Sequence, residues 1–250
     1  MTYIRDAAKV AGFIERWLRE RAAEAGAVGI AVGLSGGIDS AVVAALARRA
    51  FGRDMAALVM PCHSDPSDEA DARLVADALD IPCERVDLTA AYDALASELR
   101  KIGVLQGPAL SNLKARLRMA SLYAVAQARS LLVCGTSNRA EIVTGYFTKF
   151  GDSAADLLPL ADLLKGEVRA VAAHLGVPER IIRKAPTAGF WAGQTDEGEM
   201  GLTYDELDRY LATGDAEPEV RERIEARRRN SEHKRRPVPI WDGRSPRPPD

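Results

Sequence analysis

The sequence predicts an α/β fold, a doubly wound parallel sheet flanked by helices, formed as one domain over residues 1–250. Three observations predict it. Short apolar runs alternate with stretches of helical periodicity, and that alternation calls for parallel strands joined by right-handed crossovers. The first run, Val28-Gly29-Ile30-Ala31-Val32, feeds directly into a glycine-rich turn and then a helix. A chain of 250 residues with 47% hydrophobic composition is ample for a buried core.

The elements follow in order. Ile4, Ala8, Ala11, Ile14, Trp17 and Leu18 put an apolar stripe on an opening helix of about twenty residues, whose partner is the core or a second subunit. The helix after the glycine-rich turn carries Ile38, Val42, Ala45 and Leu46 at helical spacing and stops near Phe51-Gly52. Ala56-Ala57-Leu58-Val59-Met60 reads as a second buried strand. The loop from Pro61 to Pro66 lies at its C-terminal end, where doubly wound sheets border their ligand crevice. A helix starts at Asp65-Pro66 or within Ser67-Asp68-Glu69, with Leu74, Val75, Ala78 and Leu79 as its apolar face. Cys83 to Leu88 is a third strand, and Thr89 caps the next helix.

Gln106-Gly107-Pro108 breaks the chain. Asn112 to Arg129 is a long helix with Leu113, Leu117, Ala120, Leu122, Ala124 and Val125 largely inward, and with Lys114, Arg116 and Arg118 on its early turns. Leu131 to Cys134 is a fourth strand ending at Gly135-Thr136, followed by a loop region from Glu141 to Asp156. Further helices run from about Leu163 to Leu175, from Val177-Pro178, from Leu202 to Leu211 and from Glu219 to Arg229. Ala185 to Glu199, poor in apolar periodicity, reads as a mobile lid. Pro237 to Asp250, with five prolines, reads as an extended or frayed tail.

The turn itself is Gly33-Leu34-Ser35-Gly36-Gly37-Ile38-Asp39-Ser40. Gly36 and Gly37 let an anion approach the backbone, and the free amides and dipole of the following helix favour it. Ser35 and Ser40 add hydroxyls. The stretch is neither G-x-x-x-x-G-K-[ST] nor G-x-G-x-x-G. Asp39 would repel a polyphosphate unless a hard cation lies between them, and Mg²⁺ is the usual one.

A net charge of -2 argues against a general nucleic-acid or membrane-surface binder. The first residues are no signal peptide, and no apolar run is long enough to span a bilayer. Cys62, Cys83 and Cys134 are widely spaced, which suggests neither a zinc site nor a disulfide framework; Cys83 and Cys134 read as core residues. The expected location is cytoplasmic.

Ser35 to Ser40 resemble the loop of the ATP pyrophosphatase (PP-loop) superfamily. That resemblance implies an adenine nucleotide alpha hydrolase-like, Rossmann-like sheet. Further segments narrow it: Asn112-Leu113-Lys114-Ala115-Arg116; Gly135-Thr136 with Glu141; Gly145-Tyr146-Phe147-Thr148-Lys149-Phe150-Gly151-Asp152; Pro186-Thr187-Ala188 with Gln194-Thr195-Asp196-Glu197 and Gly201-Leu202-Thr203-Tyr204-Asp205; and His233-Lys234-Arg235-Arg236-Pro237. Together they resemble the ammonia-dependent NAD synthetases, from the opening helix to about Pro237. Departures are a lid shortened around Trp191-Ala192-Gly193, and Leu157-Leu158-Pro159 where Ile-Asn-Pro is commoner.

The resemblance implies a ligase that adenylates deamido-NAD (nicotinic acid adenine dinucleotide) with ATP and displaces AMP with ammonia. It implies that Gly33 to Ser40 hold the ATP pyrophosphate, that Asp39 and Glu141 bind Mg²⁺, that Thr136 and Thr187 contact ATP, and that Lys165 neutralises phosphate charge. Arg116, Lys149, Asp156, His233 and Lys234 would bind deamido-NAD, with Phe147 and Phe150 beside the pyridine ring. Asp152 would receive ammonium and take its proton. The family is a homodimer whose partner completes the dinucleotide site near Arg116. No glutaminase domain accompanies it, so ammonia arrives free or from another protein. The alternatives are a tRNA-modifying ATP pyrophosphatase using the basic Arg221–Arg236 run, and a catalytically silent nucleotide-binding module.

Overall fold

Among the described residues, four parallel strands form the sheet: β1 (Gly29–Gly33), β2 (Met55–Val59), β3 (Cys83–Arg85) and β4 (Leu131–Cys134), in spatial order β3-β2-β1-β4. The computed structural model describes residues 4–103, 107–187 and 195–241. The chain steps outward from β1 to β2 and β3, then returns to lay β4 on the other side of β1. Neighbours on opposite sides of β1 leave a crevice at its C-terminal end. Register is set by Ile30 opposite Met55 on one side and Leu132 on the other. β1 and β2 are covered on both faces, so they read as continuous apolar runs and not as alternating ones.

The helices are α1 (Ala7–Glu24), α2 (Ile38–Phe51), α3 (Pro66–Ala78), α4 (Thr89–Lys101), α5 (Pro108–Ala128) and α6 (Arg139–Thr144). They continue with α7 (Lys165–Leu175), α8 (Glu179–Arg183), α9 (Asp196–Met200), α10 (Tyr204–Thr213), α11 (Pro218–Asn230) and α12 (Glu232–Arg235). The main core joins α1, α2, α3, α7 and α8 to one sheet face through residues such as Leu18, Leu46, Val75, Val168 and Ile181. α4 and α5 close the other face around Leu58, Tyr92 and Ala126. A satellite core of Met200, Tyr204, Leu207 and Ile224 packs α9, α10 and α11 against Ala140 of α6. Arg5 ties the start of the chain to α7 through Glu167, at 2.6 Å. No helix of the described residues is long and apolar enough to cross a membrane.

Several boundaries differ from expectation for local reasons. β3 is an edge strand and keeps only three residues of the expected Cys83–Leu88 run, although Val86 N still donates to Val59 O and Leu88 N to Pro61 O. Cys83 is therefore exposed, whereas Cys134 in the inner strand is buried. Thr89 is the first residue of α4 and not its cap; its amide is held by Asp87 Oδ1 at 2.9 Å. α5 starts at Pro108, and Ala120 and Ala124 face outward. The Glu141–Asp156 region is not all loop, because Asn138 caps the six-residue α6. The expected lid ends in α9, capped by Thr195, while Ala188, the Trp191-Ala192-Gly193 departure and Gln194 lie outside the described residues. Of the tail, residues 237–241 are exposed and without regular structure, and 242–250 lie outside the described residues.

Candidate active site

The glycine-rich turn leaves β1 at Gly33 and enters α2 after Gly37. Gly36 adopts φ +81°, and a Cβ there would meet Asp68 O at 2.4 Å, so only glycine fits between the turn and α3. The serines knit the turn. Ser40 Oγ donates to Gly37 O at 2.9 Å, and Ser35 N donates to Ser40 Oγ at 3.2 Å. Leu34 and Ile38 point into the core, and Leu34 N is already given to Leu58 O. Those two positions shape the cradle; the exposed Ser35 and the Gly37 and Asp39 end of α2 face the open space.

Three charged groups converge beside it. Lys165, at the first turn of α7, is wholly buried, and its Nζ lies 2.5 Å from Asp39 Oδ2 and 4.8 Å from the centre of the Tyr204 ring. Burial opposes the Lys165 charge, but Asp39 and Glu141 outweigh it and hold its pKa above the ordinary value. Glu141 stands at the third position of α6. Burial and the neighbouring Asp39 carboxylate push its pKa well up. The Tyr204 hydroxyl lies 3.4 Å from Glu141 Oε1 and 3.1 Å from Asp196 Oδ2. Asp196 Oδ1 is buried without a hydrogen-bond partner among the described residues.

This set fits a divalent cation shared with phosphate. Acids crowd one place with a single lysine to offset them, and one carboxylate oxygen is orphaned. Among the described residues no three His, Cys, Asp or Glu groups form a complete cage. Mg²⁺ characteristically takes one or two carboxylates and draws its other ligands from phosphates and water.

A cavity of about 560 Å³ runs from this cluster across the C-terminal ends of β1, β2 and β4. Thr136, Lys165, Thr187, Asp152 and Lys234 line it, together with the glycine-rich turn, Asp39 and Glu141. Its apolar part is a slot between Met60, Leu122 and Val133, opened by the missing side chain of Gly33. Asp152 Oδ1 accepts from Thr148 N at 2.9 Å, and Lys234 Nζ donates to Gly145 O and Phe147 O, both at 2.8 Å. That clamp needs Gly145, where a Cβ would lie 2.1 Å from Ser231 Cβ.

Arg116, Lys149, His233 and Asp156 lie outside the cavity wall. The first three form a chain of contacts: Arg116 NH2 to Lys149 O at 3.3 Å, and Lys149 Nζ to His233 O at 2.7 Å. Phe150 is 55% exposed, with Lys149 Nζ 5.2 Å from its ring centre. Asp156 is engaged elsewhere, accepting from Val133 N at 2.7 Å and from the Tyr123 hydroxyl at 3.2 Å. Burial and the Asp156 charge push the Tyr123 hydroxyl up to about 12.

The match that decides the family covers residues 10–238 and is to the NAD synthase model. The chain belongs to the NAD synthase family. Its NH(3)-dependent NAD(+) synthetases from Syntrophomonas wolfei and Carboxydothermus hydrogenoformans are 48% and 50% identical to it. The alignments cover 92% and 88% of this chain and 94% and 91% of theirs. The NMN synthetase of Francisella tularensis superposes with a TM-score of 0.91 at 39% identity, covering 95% of this chain and 99% of that one. Family membership sets aside the tRNA-modifying alternative.

Sequence reasoning gave no role to four groups that the fold brings here. Asn138 touches both acids; Tyr204 and Asp196 back them; Arg118 donates to Met60 O and to Ser64 Oγ, each at 3.1 Å, and lines the cavity. For Arg118 a signal existed, since it falls four residues from Leu122 on the inward face of α5, while Arg116 falls on the outward one.

Proposed function

We propose that this chain amidates deamido-NAD with ammonia at the expense of ATP, giving NAD, AMP and pyrophosphate through an adenylated carboxylate. The observation that carries the reading is one cavity holding a phosphate cradle at one end and the Asp152–Lys234 pair at the other. A carboxylate is a poor electrophile, and capture of AMP gives it a leaving group. The glycine-rich turn and the first turn of α2 hold the β- and γ-phosphoryl groups. Thr136 and Thr187 contact ATP. The slot beside Gly33 admits the flat adenine, and Arg118 fixes the loop that walls it.

Asp39 and Glu141 hold Mg²⁺, which when bound offsets the charge of the phosphates. Lys165 supplies a fixed positive charge to the same oxygens as negative charge shifts toward pyrophosphate. Lys234 and the Gly145–Phe147 turn form the wall against which the nicotinate ring packs. Asp152, exposed toward the cavity, receives ammonium and takes its proton before the nitrogen attacks the acyl carbon. Most of the rate then comes from positioning and charge complementarity.

Arg116, Lys149 and His233 lie on the surface, so they serve the distal half of a dinucleotide where a second subunit covers them. A homodimer through α5, whose Ala120 and Ala124 are exposed, supplies that cover. Asp156 orders the floor through Val133. The cytoplasm is the compartment this reading implies.

The similarity to the Francisella tularensis NMN synthetase favours a second acceptor, nicotinate mononucleotide. Purified protein with ATP, Mg²⁺ and ammonium, offered each acceptor in turn, tests both. Preferred conversion of deamido-NAD with AMP release supports the first reading, and preferred conversion of the mononucleotide supports the second. Release of ADP in place of AMP overturns both.

A further inference from the structure

Asn138 has no solvent exposure, and each of its polar groups toward the site has a partner. Its side-chain oxygen accepts from Glu141 N at 3.2 Å, and its Nδ2 donates to Asp39 Oδ1 at 3.1 Å. Its own backbone N donates to Glu141 Oε2 at 3.1 Å. One residue therefore grips two carboxylates that come from different elements, Asp39 in α2 and Glu141 in α6.

We propose that Asn138 is a positioning residue for the divalent cation that accompanies ATP: it fixes the Asp39 and Glu141 carboxylates relative to each other without adding charge. The proposal rests on the reading that this pair holds the cation. Helix capping alone does not select asparagine here, because serine and aspartate cap about as well. The second bond does select it. A carboxylate facing the residue only accepts, so the group opposite Asp39 must donate, while the group opposite Glu141 N must accept. A carboxamide offers one arm of each kind. Serine satisfies the Glu141 amide but lacks the second arm. Aspartate caps too, yet turns an acceptor and a third negative charge toward Asp39.

The bonding also leaves room for the cation. Asp39 Oδ1 accepts from Asn138 and Oδ2 from Lys165, one bond to each oxygen. A carboxylate oxygen has two lone pairs, so each keeps one free. Groups that orient metal ligands in this manner change metal affinity by about 10–100-fold when removed.

The test uses the full chain and Mn²⁺ as a spectroscopic substitute for Mg²⁺. Mn²⁺ is titrated by electron paramagnetic resonance with saturating α,β-methylene ATP, for wild type and Asn138→Ser, alongside thermal melting. The expected result is a melting temperature near that of wild type, because the cap is kept, with a Mn²⁺ dissociation constant raised about 10–100-fold. The KM for ATP at limiting Mg²⁺ should rise while that for the acceptor substrate holds. If the serine variant melts early, Asn138→Thr, which also caps and also lacks the second arm without adding charge, is expected to show the same loss of affinity. A variant that melts normally and binds Mn²⁺ within twofold of wild type overturns the proposal. Wild-type protein that takes up no Mn²⁺ at all overturns the metal pair itself, and the role of Asn138 with it.

Discussion

The Lys165 ammonium and the Asp39 carboxylate meet at 2.5 Å, a buried ion pair spanning 126 positions of the chain. The pair links α2 to α7, which packs beside it on the same sheet face, and offsets the acid cluster before any ligand arrives. Replacing Lys165 by methionine leaves Asp39 and Glu141 facing each other without it. Removing one partner of a buried pair costs about 3–5 kcal/mol, so the variant should unfold at markedly lower urea concentration. AMP formation should fall by at least about 100-fold, the scale of losing one preorganised charge at a developing anion. Near-normal turnover in Lys165→Met would exclude a phosphate role for this lysine.

Asp39→Asn separates chemistry from folding. The amide oxygen still accepts from Lys165, so the stability loss should stay nearer about 1–2 kcal/mol than the full cost of an orphaned charge. Mg²⁺-dependent AMP release should disappear. Urea titration and AMP quantification on the same sample check both halves of the statement.

Arg118 is a half-buried cation whose hydrogen-bond partners among the described residues, Met60 O and Ser64 Oγ, are neutral. Burial holds its pKa below the ordinary arginine value. A group kept at that cost on a cavity wall points to an anionic or polar ligand. Arg118→Met should raise the KM for ATP by about tenfold or more, one lost charged hydrogen bond being worth roughly that factor. The KM for the acceptor substrate should change less than twofold. Equal effects on both substrates would place the residue in general folding.

Glu167 gives the protein an acid-sensitive joint. It is 2% exposed and accepts from Arg5 Nε at 2.6 Å, Arg5 NH2 at 2.8 Å and Leu164 N at 3.0 Å. Burial opposes its ionisation, but these bonds prevail and hold its pKa below the ordinary carboxylate value. An acid with a lowered folded-state pKa stabilises fully above its unfolded-state value and loses that contribution as pH falls through the folded-state value. Glu167→Gln should therefore cost about 1–3 kcal/mol at pH 7. The gap to wild type should close as the pH drops below the usual carboxylate range. Urea unfolding at neutral and acid pH reads it directly.

Lys149→Ala tests the surface arm of the acceptor site. Its ammonium bonds His233 O and overlies Phe150, outside the cavity that the glycine-rich turn lines. The variant should raise the KM for deamido-NAD about tenfold, the scale of one charged contact, and leave the KM for ATP within twofold. Nicotinate mononucleotide, lacking the distal half, should be affected less. Sedimentation should report the same oligomeric state for wild type and variant.

The central elements were legible because their signals are local. A fully apolar β1 followed by Ser35-Gly36-Gly37 identifies strand, turn and helix within one short window, and the fold puts them there. β3 was read too long because an edge strand has one neighbour to define it. α6 is not expected from the sequence because six residues are too few for periodicity to appear. Asp39, Glu141, Lys165 and the glycine-rich turn were foreseen as one group and lie together. Arg116, Lys149, His233 and Asp156 were foreseen beside the acceptor, yet none lines the cavity of the single chain. Their placement depends on tertiary contacts between segments far apart, which no single stretch encodes.

The last named strand among the described residues, β4, ends at residue 134. The carbonyls of Ile142, Val143, Gly145 and Phe147, however, are held by Arg235 and Lys234. A polypeptide leaving the ribosome thus presents the glycine-rich turn, and then Lys165, well before the residues that clamp the Gly145–Phe147 turn. Among the described residues that line the cavity, the last to emerge, Lys234, is the one that fixes that turn.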